Sequence, residues 1–178
     1  FVMVEMSLKE LFEIGQSFES SVGEGTKGER ARIFKNNSRL NLTDEMISFI
    51  ESIDYEVNFL VSGEIWCPDF QLNATVLKRF LDLNPNFNMS VITMARGKKF
   101  MAPALGIDKE SFKGPSIAVL DKDFNVLGLF EERPQVVRDM PSFDDIKLEY
   151  YKGKYLLDTV NDFIKILKKL LILSQVYY

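Results

Sequence analysis

The sequence predicts an α/β fold: a mixed central sheet flanked by helices, preceded by a helical extension and closed by a long C-terminal helix. Three observations carry this. Residues 55–61 alternate, with Val57, Phe59 and Val61 on one face and Leu60 on the other; a helical period then runs from Pro68 to Asn84-Pro85, and residues 88–94 alternate again. Such a β-α-β unit requires a crossover, so the two strands are expected to be parallel and the connection right-handed. Residues 117–120 and 126–130, joined by the turn residues Asp121-Lys122-Asp123, read as an antiparallel hairpin.

The elements follow in order. Ser7 and Glu10 have the spacing of a capping box, after which Leu8, Leu11, Phe12 and Phe18 share a helical face. Gly23, Gly25 and Gly28 interrupt. Thr26 and Glu29 form a second capping pair, opening a helix expected to turn Ala31 and Phe34 inward. Asn41 is the expected cap of a third helix, with Met46, Phe49, Ile50 and Ile53 at helical spacing. In the central helix Leu72, Val76 and Phe80 adjoin a second row of Leu77 and Leu81. A short helix is expected over residues 99–105, limited by Pro103. The chain closes on an amphipathic helix whose stripe is Leu156, Val160, Phe163, Ile164, Leu167, Leu170 and Leu171.

Composition narrows the function. The chain has 178 residues, the size of about one domain. Residues 1–54 are expected to be a packed helical extension, 55–135 the core and 136–178 a C-terminal helical segment, all within one domain. A net charge of −4 without a basic stripe disfavours nucleic acid as a partner. No run of about 18 apolar residues predicts a membrane span. The chain has no histidine and one cysteine, so no metal site, cofactor or internal disulfide is expected. A lone thiol suits a reducing compartment, here the cytoplasm. Residues 1–6 are too short for a signal peptide and lack basic residues; Met3 and Met6 are candidate natural starts.

The chemistry concentrates at Trp66-Cys67-Pro68-Asp69-Phe70. Cys67 follows a strand and a Gly-containing loop at the expected first turn of a helix, where unpaired amides and the helix dipole favour a thiolate. Pro68 suits that turn, because its missing N–H is not needed there. Trp66 is expected to cover the sulfur. Asp69 stabilises the helix start yet opposes ionisation of Cys67 by like charge.

These residues, with Gly114-Pro115-Ser116 before the hairpin, resemble the thioredoxin superfamily over about 80 of the 178 residues. The Glu131-Glu132-Arg133-Pro134 stretch is reminiscent of a bacterial thioredoxin-like subgroup with an N-terminal helical extension. The resemblance implies a three-layer fold with Cys67 as the catalytic residue. It further implies a cis Pro115 beside it, and Trp66, Pro68, Asp69, Phe70, Gly114 and Pro115 as the substrate-binding surface. Phe70 stands where redox-active members carry the resolving cysteine, and is expected to pack in the core. Val61 stands where a buried acid often lies. Two readings follow: a monothiol oxidoreductase acting through Cys67 on protein or small-molecule disulfides, or a redox-silent module that binds a peptide or protein.

Overall fold

The structure is a computed structural model and describes residues 4–176. Ten α-helical segments, two other helical turns and four strands are ordered as follows among those residues. Helices α1 (Leu8–Ile14), α2 (Phe18–Gly23), α3 (Lys27–Arg39) and α4 (Asp44–Ser52) precede strand β1 (Val57–Ser62). Then come α5 (Pro68–Leu83), β2 (Phe87–Ile92), and a bent segment of α6 (Met94–Arg96), a π-turn (Gly97–Met101) and α7 (Ala102–Ala104). A 3-10 turn (Lys109–Ser111) leads to β3 (Ser116–Leu120) and β4 (Val126–Glu131). Helices α8 (Gln135–Arg138), α9 (Lys147–Tyr151) and α10 (Leu156–Val176) complete the chain.

The sheet order is β2-β1-β3-β4. β1 runs parallel to β2, with Val57 opposite Phe87, and antiparallel to β3, with Ser62 opposite Ser116. β3 and β4 form the hairpin. At its tip the Asp121 carboxylate accepts from the amides of Asp123 (2.8 Å) and Asn125 (2.9 Å), which closes the turn.

Alternation along β1 splits the core into two layers. Val57, Phe59 and Val61 join α5 and α10 in the larger one, where Phe59 meets Phe80, Phe87 and Phe163 edge-to-face at 5.8–6.1 Å between ring centres. Leu60, Ile92, Ala118 and Leu120 face α1 and the bent segment, with Leu11 and Met101 fully buried among them. This is an α/β sandwich with helices on both faces of a mixed sheet.

Several local expectations need correction. Leu8, Leu11 and Phe12 do pack together, but Phe18 belongs to a separate helix and to the other core layer. The helix stops because Gln16 bridges to the free edge of β2: its amide and the Val91 amide each donate to the other's carbonyl at 2.8 Å. Gly15 allows this approach, since a Cβ there would overlap the Ser90 hydroxyl.

The capping pair Thr26/Glu29 forms, yet the helix it starts is rotated from expectation. Ala31 is exposed and Phe34 is 76% exposed; Ile33, Asn36 and Leu40 face inward. Thr43, not Asn41, caps α4 through the Met46 amide (3.1 Å). The short helix expected over 99–105 begins earlier, at Thr93, whose hydroxyl accepts from the Arg96 amide (3.1 Å). On α10 the stripe holds through Leu167, while Leu170 is half-buried and Leu171 is on the exposed side. Of the two candidate starts, Met6 packs against the second core layer and Met3 lies outside the described residues.

Candidate functional site

Cys67 is the N-cap residue of α5, with Pro68 in the first helical position. Its backbone is held at both ends: its amide donates to Glu64 O (3.0 Å), and its carbonyl accepts from the Gln71 amide (3.0 Å). The Gln71 side chain also donates to Ile65 O (2.8 Å), fastening the loop that enters the helix.

The sulfur is not presented to solvent. Cys67 is only 7% exposed, and burial pushes its thiol above the ordinary value. Backbone amides of Phe70 and Asp69 pull it down, while the charges of Asp69 and Glu132 add to the rise. Burial wins over the helix terminus, so the thiol is the favoured form.

The expected surface residues divide. Trp66 is 57% exposed, so much of its ring faces solvent. Pro68 is half-buried. Phe70, which the resemblance grouped with the substrate contacts, is fully buried, in line with the core packing expected of it. Its ring lies on Gly63, where a Cβ would overlap the ring edge, so it offers nothing to a ligand.

Asp69, also grouped with them, is 6% exposed and committed to an ion pair. Its two oxygens take Arg133 Nε (3.0 Å) and Nη2 (3.3 Å), the forked geometry that suits arginine. The Tyr151 hydroxyl donates to the same carboxylate at 3.4 Å. Arg133 in turn pairs with Glu132 (2.7 Å) and lies 3.7 Å from the Phe143 ring centre. The buried Tyr150 hydroxyl finds no hydrogen-bond partner among the described residues, and burial raises its pKa far above the usual phenol range.

This network was not legible as such in the sequence. Arg133 lies 64 residues from Asp69, and Tyr151 lies 82 residues away. The only signals were the charged Glu131-Glu132-Arg133 run and the paired tyrosines.

The Gly114–Pro115 peptide is cis. Pro115 is buried, and its carbonyl accepts from the Glu132 amide (2.7 Å). Asn73 of α5 donates to Glu132 O (3.1 Å), so one residue ties the proline segment to the helix that starts at Cys67. Gly114 is half-buried, and Met94 packs on it closely enough that a Cβ would meet the sulfur at 2.9 Å. Among the described residues no group of three or more His, Cys, Asp or Glu side chains is placed to hold a metal, and no helix is long and apolar enough to cross a membrane.

Comparison with known proteins agrees with this geometry. A thioredoxin family model matches residues 15–147. A solved structure of a protein of unknown function from Pseudomonas aeruginosa is 32% identical, with a TM-score of 0.85, covering 93% of this chain and 99% of its own. An HIV epitope-scaffold is also 32% identical, with a TM-score of 0.84, covering 92% of this chain and 99% of its own. No curated protein matches. Matched over most of its length, and with a cysteine at the head of the helix that follows its first strand, the chain belongs to the thioredoxin family.

Proposed function

We propose that this protein is a redox-silent, thioredoxin-like binding module that holds an extended peptide or protein partner at the surface around Trp66, Pro68 and Gly114, with the buried cis Pro115 shaping the backbone beneath Gly114. The observation that carries the reading is the state of Cys67: buried, with its thiol held above the ordinary pKa. A thiol-disulfide exchange enzyme needs the thiolate within reach of its substrate. Phe70 adds support, because a fully buried ring fills the place of a second thiol. The exposed Trp66 offers the kind of aromatic anchor that partner surfaces use. We infer one structural unit for the whole chain, since the N-terminal helices contribute Leu11, Ile33 and Ile50 to the two core layers.

Alkylation of Cys67 by iodoacetamide across a pH series tests this. The expected result is slow modification with a midpoint above 9.0, the ordinary thiol value. A midpoint below it with fast modification would overturn the reading.

A second reading, a monothiol oxidoreductase, is favoured by one feature: the backbone amides of Phe70 and Asp69 favour the Cys67 thiolate against the burial that opposes it. The Cys67 thiolate would attack a substrate disulfide, forming a mixed disulfide and expelling the other sulfur as a thiol. An external thiol would then release the substrate. Phe70→Cys separates the readings in an insulin-reduction assay. The binding module predicts no turnover above wild type from a folded variant, and the enzyme predicts a clear gain.

A further inference from the structure

A second site lies between α3, the start of α5 and α9. There a cavity of about 310 Å³ is lined by Arg32, Lys35 and Arg39 on one wall and by Lys152 on the other. We propose that this cavity binds a small multivalent anion, either a diphosphate or a di- or tricarboxylate. The inference is independent of what Cys67 does.

The charge is local, not a reflection of composition. The chain as a whole carries −4, yet the cavity lining holds four cations and no carboxylate. None of the four makes an ion pair among the described residues, whereas Arg133, Arg138, Lys78 and Lys154 do. The adjacent Glu149 is already taken by Lys154 at 2.9 Å. Four unpaired cations around one hollow repel one another, and an anion would relieve that repulsion.

The positions are set by the fold. Arg32, Lys35, Asn36 and Arg39 follow the i, i+3, i+4, i+7 spacing that puts residues on one helical face. They line the hollow over a helical rise of about 10 Å. Arg39 also donates to Lys152 O (2.8 Å), which ties the two walls together and fixes one end.

A second observation points to a ligand. Asn36 is 5% exposed and lines the cavity, but its side-chain amide makes no hydrogen bond to any described residue. That amide opens onto the hollow, and an N–H₂ group there beside four cations is a donor for an oxyanion. A forked guanidinium and a compact ammonium together suit phosphate or carboxylate oxygens. The volume fits one small molecule.

Titration calorimetry with inorganic pyrophosphate and with citrate, at low and high salt, tests the proposal on the full chain. Wild type is expected to bind at least one of them, more weakly as salt rises. Binding of pyrophosphate alone identifies a phosphate site, and binding of citrate alone or of both identifies carboxylates as ligands. Arg32→Gln/Lys35→Gln, both exposed positions, should weaken binding by more than about tenfold with the melting temperature unchanged. Lys152→Gln, from the opposite wall, should act in the same direction. Lys165→Gln/Lys169→Gln, exposed positions on α10 outside the lining, should leave affinity unchanged. The proposal falls if neither anion binds, or if the α10 variant loses affinity to the same extent. It falls equally if an acidic hexapeptide binds where neither small anion does.

Discussion

The contact between Phe70 and Gly63 makes a quantitative claim about the first turn of α5. Phe70 is fully buried, so Phe70→Ala removes a core ring, a change that costs about 3–5 kcal/mol. Against a typical domain stability of about 5–15 kcal/mol, the variant should fold with a much reduced margin. Gly63→Ala alone adds a methyl group where the Phe70 ring already stands, with the ring Cε2 at only 3.1 Å from it. Overpacking of this kind costs about 1–3 kcal/mol. Gly63 does not hold a left-handed backbone, so alanine there brings no conformational strain.

In the Phe70→Ala background the same methyl enters vacated space and returns up to about 0.8 kcal/mol. The double variant should therefore be more stable than the sum of its singles by about 2–4 kcal/mol, the overpacking relieved plus the burial gained. Urea unfolding followed by far-ultraviolet circular dichroism, with an unchanged denaturant slope, measures the cycle. Losses that add to within about 0.5 kcal/mol would show that the ring is not held against Gly63.

Two other expectations follow from the same region. Arg133→Met should cost about 3–5 kcal/mol, because it strands the Asp69 carboxylate with only the Tyr151 hydroxyl, and Asp69→Asn in that background should recover part of the loss. Asp69→Asn alone should lower the Cys67 pKa, since the Asp69 charge is one of the causes of its rise; thiol titration checks this. As for pH, the folded thiol keeps its proton above 9.0 while the thiol of the unfolded chain ionises near that value. The unfolded state then binds fewer protons, so stability is full below 9.0 and falls as pH rises through the folded value. Cys67→Ser should flatten the part of that fall lying below the ordinary tyrosine value of 10.0. Tyr55, pushed up to about 12 chiefly by burial, continues the decline at higher pH. Urea midpoints measured across the alkaline range would refute this if wild type and Cys67→Ser had the same slope.

What the sequence determined by itself was whatever depends on neighbours along the chain. Alternation of Val57, Phe59 and Val61, the helical period after Pro68 and the Asp121 turn were enough to define the crossover and the hairpin. The Ser7 and Thr26 capping boxes were legible because both partners lie within one turn. Cys67 at a helix start was legible for the same reason.

Where several phases of a helix are equally apolar, tertiary contacts choose. In α3 the inward face became Ile33, Asn36 and Leu40, tied to α5 by Arg79, which donates to Leu40 O (3.3 Å) and to the Asn37 side chain (2.7 Å). That leaves Phe34 exposed despite its ring.

The protonation of Cys67 could not be read from its own motif, because opposing effects meet there. The amides that favour the thiolate come from the next three residues, but desolvation depends on everything packed around the sulfur. The Asp69–Arg133 pair that anchors this corner joins segments 64 residues apart. Local spacing encodes where a side chain starts; only the assembled core decides how much water it keeps, and at Cys67 that decides the charge.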